Sequence, residues 1–519
     1  MLLDSIYREM PIGSLFRWEM DRKSAHLIRQ SAEVLPSFNS AHKHIWFVID
    51  GQQRLSVIHQ AFEAQKKKND AGKEIDFERL CFVPVMPQGP ENPPRVVYRK
   101  PSGKTFVPVR DILAPQWKQR MPSKAKSFLK RIGDCRKRLL DYPIPVVIVR
   151  SATLDEIGDV FIRVNSQGMR VTSADRAVAL MGEPDVRAMA DELRQKIRDS
   201  GFYFGDISPI LMGLSLVDET PALDGDPPRL DVMARRWSKK ITNDDDGKEE
   251  FRHLWDKYQR ALSKAVDYLR AYFPVHDESY LPSMNMLATL SVFFFHHPGQ
   301  PTARQKAEIR KWFWATGVAQ RYSGRGYHRN IAADANFFTG LARGSRKRFI
   351  FTDLVEPAAI QNREYASNSA RTRAFFCLLA ERQQRNLETG DLIPLDKPVI
   401  SHTNTKHRHH IFPRQQLINA GIHARVYNGL CNMCFLMCEE NVRIGKELPK
   451  TYLARYRAGN APQFSKVMKS HLVPAGPNTS VWKRGVRAAF RDFRKERLPL
   501  ICSEFEKAAG GMKLFSKPV

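Results

Sequence analysis

Lys406-His407-Arg408-His409-His410-Ile411-Phe412-Pro413-Arg414 joins adjacent histidines to a short apolar run in a basic setting, and its reading decides the architecture of the C-terminal end. Read as a strand, it calls for a partner. Asn432-Met433-Cys434-Phe435-Leu436-Met437 supplies one, and Asn441-Val442-Arg443-Ile444 follows as material for a helix. Phosphodiester hydrolysis needs a base to activate water, a divalent cation to neutralise charge at the phosphate, and a scaffold that holds both close together. A β-hairpin followed by a helix supplies all three. Two plainer readings compete: a histidine-rich basic turn that only grips phosphates, and a histidine pair packed into a core. Cys431-x2-Cys434-x3-Cys438 resembles three-quarters of a zinc site. Because alternate strand positions face opposite ways, it reads better as buried thiols.

Outward from this stretch, the 519 residues are too many for one ordinary core and suggest three domains. Hydrophobic residues make up 42% and charged residues 27%, the balance of a folded chain. The 83 Lys and Arg against 55 Asp and Glu leave +28, which points to a polyanionic partner, nucleic acid first. A basic surface kept for solubility is the plainer alternative. No apolar run of about 18 residues is present, so no membrane span is expected. The start lacks the order of a signal peptide, and 7 cysteines are an odd, sparse set, so reduced thiols in the cytoplasm are expected.

Three regions emerge along the chain. Residues 1–185 mix strands and helices: His44-Ile45-Trp46-Phe47-Val48-Ile49 reads as a buried strand that turns at Asp50-Gly51 into a helix carrying Leu55, Ile58 and Phe62. Residues 86–104 read as a Pro/Gly-rich surface excursion, and Pro143 to Val149 as a further strand. Residues 186–395 follow helical period, clearest in Phe251, Leu254, Tyr258, Leu262, Val266, Leu269 and Phe273. Val217 to Glu250, with Pro227-Pro228 and Asp244-Asp245-Asp246, reads as a loop or lid. Residues 396–519 hold most of the clustered histidines and cysteines. The fold class is therefore α+β and multidomain.

Asp50-Gly51-Gln52-Gln53-Arg54 sits where strand meets helix, so free N–H groups, the helix dipole and a guanidinium fork can face an anion. Asp-Gly is also an ordinary tight turn, and Arg54 can simply pair with a carboxylate. Phe161-Ile162-Arg163-Val164-Asn165-Ser166-Gln167-Gly168 begins as helix and breaks, and Thr172-Ser173-Ala174-Asp175 starts another. Gly103-Lys104-Thr105 lacks the first glycine of a phosphate-binding loop, since Tyr98 stands there, and reads as a hairpin turn.

The segment His409 to Leu453 resembles the HNH, or ββα-metal, nucleases, in the branch with a His-His-Ile-Phe-Pro core, Asn432, Asn441, Pro449 and Tyr452-Leu453. This resemblance implies that His410 is the general base, that His409 and Asn441 hold a metal, and that Asn432 braces the hairpin within the catalytic set. Aspartate often stands at the place of His409 in this branch, which bears on ion choice. Mg²⁺ or Mn²⁺ is expected, with a later transition metal as alternative.

Asp4-Ser5-Ile6, Pro11-Ile12-Gly13, the Asp50 to Arg54 string and Asn165 together resemble the ParB/sulfiredoxin-like domain of GmrSD-type, modification-dependent restriction endonucleases. By that resemblance Asp50, Gly51, Gln52, Gln53, Arg54 and Asn165 bind a nucleoside triphosphate, GTP or ATP. Relatives carry a strand and part of a helix before the equivalent of Asp4, so either the nucleotide site is altered here or translation starts upstream. Arg321-Tyr322-Ser323-Gly324 is a further mark of the family in the middle region. The expected function is metal-dependent cleavage of foreign or modified DNA in prokaryotic anti-phage defence, gated by nucleotide, with a homo-oligomer allowed. The alternative is a non-cleaving, nucleotide-sensing DNA-binding regulator.

Overall fold

The structure is a computed structural model that describes residues 2–21, 44–63, 66–68, 74–85, 95–98, 106–150, 156, 173–181, 184–219, 230–244, 246–324, 326–393 and 408–516. It divides into two compact units, Met1–Asp185 and Val186–Val519. Both mix helices with small sheets, so the chain is α+β. Asn165, the Phe161 to Gly168 segment and Lys104 lie outside the described residues.

In the first unit, α1 (Leu2–Tyr7) opens the chain. β1 (Leu15–Asp21) is the middle of a three-stranded sheet, antiparallel to β2 (His44–Asp50) and parallel to β8 (Val146–Arg150). The register shifts between Phe16 and Arg17, a bulge that falls opposite the end of β2 at Asp50. β2 forms as expected but is buried only in part: Ile49 is buried, while Trp46 is 60% exposed and lies under the Arg17 guanidinium, 3.7 Å from the ring centroid. β8 likewise leaves Val146, Val147 and Ile148 exposed. An uninterrupted apolar run looks buried by composition alone, yet burial depends on what the tertiary fold lays against it.

After α2 (Gln52–Glu63), β3 (Lys66–Lys68) pairs β4 (Glu74–Asp76). β5 (Leu80–Phe82) then pairs with β6 (Val96–Tyr98) and β7 (Val107–Pro108), both antiparallel. β6 lies inside the stretch expected to be a surface excursion, and Val96 is buried. Phe82, Val96 and Val107 pack with Leu3 and Ile6 of α1 and with Ile132, Cys135 and Leu139 of α3 (Leu129–Leu140).

The second unit is built on helices. The segment read as a loop or lid instead holds α4 (Leu230–Asn243), whose Leu230, Met233, Ala234 and Trp237 bury at helical spacing. Asp244 and Asp246 then lie at the turn into α5 (Gly247–Tyr272). α6 (Asn285–His296) is buried from Met286 to Phe295, apolar but for Thr289 and Ser291, whose hydroxyls donate to the helix's own carbonyls of Asn285 and Ala288. α7 (Ala303–Ala319) and α8 (Tyr327–Ala342) enclose Asp334, which accepts from Trp312 Nε1 (3.1 Å), Tyr322 O–H (2.7 Å) and Arg321 Nη2 (3.0 Å). The Arg321-Tyr322 pair therefore closes a buried structural network.

α9 (Ala370–Glu381) leads into a loop that ties the helical region to the C-terminal one. Gln384 Oε1 accepts from Phe435 N (3.0 Å), and Glu440 Oε1 accepts from Leu387 N (2.5 Å). β9 (Arg408–His410), α10 (Arg414–Asn419), β10 (Met433–Phe435), α11 (Cys438–Ile444) and the long α12 (Val486–Ala508) complete the unit. No helix among the described residues is long and apolar enough to cross a membrane.

Candidate functional site

β9 and β10 pair antiparallel in the register His410↔Met433, His409↔Cys434 and Arg408↔Phe435. What precedes β10 matters as much as the ladder. Asn432 is fully buried and its amide is used completely: Oδ1 accepts from Phe412 N (2.8 Å), while Nδ2 donates to Phe412 O (3.1 Å) and Tyr427 O (2.9 Å). Its backbone carbonyl accepts from Ile411 N (2.8 Å). Asn432 thus clamps the residues that follow His410. Tyr452 O–H adds a bond to Ile411 O (2.8 Å).

A buried cation supports the same strand from behind. Arg497 of α12 has no exposure and donates to the carbonyls of Cys431 (2.9 Å) and Met433 (2.8 Å), on either side of Asn432, and to those of His471 (2.8 Å) and Leu472 (3.1 Å). Burial holds its guanidinium below the usual arginine range. Cys431 and Cys434 are buried beside it, their thiols pushed up by burial to about 11 and about 12. Thiols in that state pack as apolar groups.

His410 is half-buried. Burial pushes its ring below the usual imidazole range; a hydrogen bond with Asn428 opposes this, and the Arg414 charge adds to it. Nε2 lies 3.1 Å from Asn428 Oδ1, and Asn428 Nδ2 lies 3.4 Å from Glu364 Oε1. Burial therefore favours the neutral ring, the form a base needs. His409, 8% exposed, is one residue earlier and on the other face of β9. Asn441 is half-buried on α11, one turn before the buried Ile444. Glu440, beside it, is spent on the α11 capping box and on Leu387. Among the described residues no group of three or more His, Cys, Asp or Glu gathers into a metal cage.

At the other site, Arg54 binds two motifs into one cluster. Its Nη2 meets Asp50 Oδ2 at 2.7 Å and its Nη1 donates to Ile12 O at 2.9 Å. Two glycines permit this. A Cβ on Gly13 (φ +83°) would stand 2.4 Å from Arg54 Nη1, and one on Gly51 (φ +93°) would stand 2.3 Å from Leu15 Cδ2. Gln52 Nε2 donates back to Val48 O (2.7 Å), and Gln53 is exposed. Asp4 Oδ1 accepts from Arg95 N (2.6 Å) and Val96 N (3.0 Å), which fixes α1 to β6.

Asn428, Glu364 and Arg497 are the residues that sequence reasoning missed. Tyr427-Asn428-Gly429 carries only a turn signal, and nothing local relates it to His410.

Residues 1–181 match the family described as GmrSD restriction endonuclease, N-terminal domain. An uncharacterized protein of Methanocaldococcus jannaschii, MJ0686, is 20% identical over 342 residues, which is 63% of this chain and 55% of the relative. The chain spans about half the length of the curated relative it matches.

Proposed function

We propose, from the premise that residues 1–181 form the N-terminal domain of a GmrSD restriction endonuclease, that the chain is an HNH-type, metal-dependent DNA endonuclease centred on His410. One observation carries the reading: a half-buried imidazole at the end of a hairpin whose following loop is clamped by Asn432. The C-terminal part would be the ββα-metal fold and residues 1–185 the ParB/sulfiredoxin-like one.

His410 takes the proton of the attacking water. Asn432 acts through the backbone, keeping residues 411 and 412 from shifting the ring. His409 and Asn441 would hold the cation. One imidazole and one amide oxygen leave most positions to water and phosphate oxygens; the imidazole favours Mn²⁺ or a later transition metal over Mg²⁺, which prefers oxygen donors. The cation supplies charge neutralisation at the scissile phosphate. The +28 surplus supports DNA as partner, modified or not, through phosphate contacts.

In the first unit, Asp50 beside Arg54 leaves the strand-to-helix turn near neutrality. A nucleotide phosphate, of GTP or ATP, would be received there with Asp50 available to hold a cation that supplies the missing positive charge, while Gly51 lets the backbone approach. Nucleotide binding in this unit would gate cleavage of foreign DNA in anti-phage defence.

The test is nicking of a supercoiled plasmid with Mg²⁺ or Mn²⁺. His410→Ala is expected to lose cleavage by about 10²-fold or more while DNA affinity stays within a few-fold, because the base is removed and phosphate contacts are not. A His410→Ala protein that cuts like wild type ends the proposal, and a wild type that binds but never nicks identifies a non-cleaving regulator.

A further inference from the structure

We propose that Asn428 and Glu364 are positioning residues for His410, fixing the imidazole in the tautomer protonated on Nε2 and leaving the Nδ1 lone pair to receive the proton. This inference rests on the reading of His410 as the general base. Its logic runs inward from the surface. A carboxylate oxygen accepts, and Asn428 turns its NH₂ toward Glu364 Oε1, across 3.4 Å. The Asn428 carbonyl oxygen is then forced toward His410 Nε2, at 3.1 Å. An amide oxygen cannot donate, so Nε2 must carry the hydrogen. An amide's two ends are otherwise hard to tell apart, and here the carboxylate decides between them. Among the described residues nothing else hydrogen-bonds the ring.

The backbone holds this relay in place independently of the side chains. Glu364 and Gly429 form an antiparallel bridge, Tyr365 N donates to Asn428 O (2.9 Å), and Leu430 N donates to Arg363 O (3.0 Å). The strap from 363 to 365 therefore fixes where Asn428 stands, and the Glu364 carboxylate fixes which way its amide faces. Replacing that carboxylate changes the second without the first. The Tyr427 ring also neighbours His410, 6.3 Å between centroids with the planes 71° apart.

The experiment uses the full chain with ¹⁵N-labelled histidine, at a pH where the ring is neutral. The His410 signals are identified by their loss in His410→Ala, and the ring nitrogen shifts report the tautomer. Wild type is expected to show Nε2–H alone. Asn428→Leu is expected to mix the tautomers and to lower the plasmid-nicking kcat by about 10²-fold with KM for DNA unchanged, the scale of a misoriented base. Glu364→Gln, an exposed and isosteric change, is expected to lie between. Asn428→Asp combined with Glu364→Gln is expected to restore both readouts, because a carboxylate at 428 still accepts from the ring while the amide at 364 donates to it. Nδ1–H in wild type, or an unchanged tautomer in Asn428→Leu and Glu364→Gln, overturns the proposal. The tautomer readout needs no cleavage, so undiminished nicking by His410→Ala would remove the base assignment while leaving the relay itself measured.

Discussion

Replacing Arg497 by methionine tests how the hairpin is supported. The side chain donates to four backbone carbonyls and, among the described residues, meets no carboxylate. Hydrogen bonds from a charged donor contribute about 1.5–3 kcal/mol each, so four amount to roughly 6–12 kcal/mol before desolvation. Burying a guanidinium costs several kcal/mol, which leaves a net contribution of about 3–5 kcal/mol. Buried charges can often be exchanged for apolar groups at no loss, but only when both partners go. Here the acceptors are main-chain carbonyls that no substitution at 497 removes. At about 2.1 cal/mol/K per residue, the unit Val186–Val519 would unfold roughly 4–7 °C lower. Calorimetry of the full chain reads that shift, and Arg497→Lys is expected to recover only part of it, since one ammonium cannot span four acceptors. A midpoint for Arg497→Met equal to or above wild type would refute the reasoning.

Three further outcomes are expected. His409→Ala and Asn441→Ala should raise the Mg²⁺ or Mn²⁺ concentration needed for half-maximal nicking, with activity partly regained at high metal; loss of activity with an unchanged metal requirement would exclude both as ligands. Arg54→Ala should abolish GTP or ATP binding by calorimetry while lowering stability by no more than about 1 kcal/mol, because its pair with Asp50 is partly exposed; normal nucleotide binding would make the turn purely structural. His471 is buried, and burial holds its ring at about 4. As pH falls below about 6.5 the unfolded imidazole takes a proton that the folded one refuses, so stability is expected to drop between there and about 4, by up to about 3 kcal/mol. His471→Gln should flatten that part of the pH–stability profile, and an identical slope in both proteins would count against it.

The parts legible in the sequence share one property: their pattern is local. The β2-to-α2 turn, the α5 periodicity and the strand at Met433 each announce themselves within about a dozen residues, whereas the strand expected on Ile411-Phe412-Pro413 lies just before them, at Arg408–His410. α4 was hidden because Pro227-Pro228 and the aspartate run dominate the composition around it, although Leu230, Met233, Ala234 and Trp237 carry the period. The strand burial expected for His44 to Ile49 held at Ile49 but not at Trp46, since what covers a sheet face is decided elsewhere in the chain. Arg54 shows the intermediate case. Its pair with Asp50 is four residues away and was foreseeable, whereas its bond to Ile12 depends on Gly13 leaving room. Asn428 and Arg497 were out of reach: the first acts across a loop, and the second reaches back from α12 to residues 431 and 433.

The loop after α9 has an implication for engineering. Gln384 closes a backbone bond of Phe435, Leu387 closes a side-chain bond of Glu440, and Arg385 N donates to Ser470 Oγ (3.2 Å). A fragment begun at residue 396 would expose all three partners to water and open the apolar contacts beneath them. The histidine hairpin is therefore not a cassette that can be excised and grafted onto another carrier; its transplantable form must bring the preceding helical region along, at least from α9.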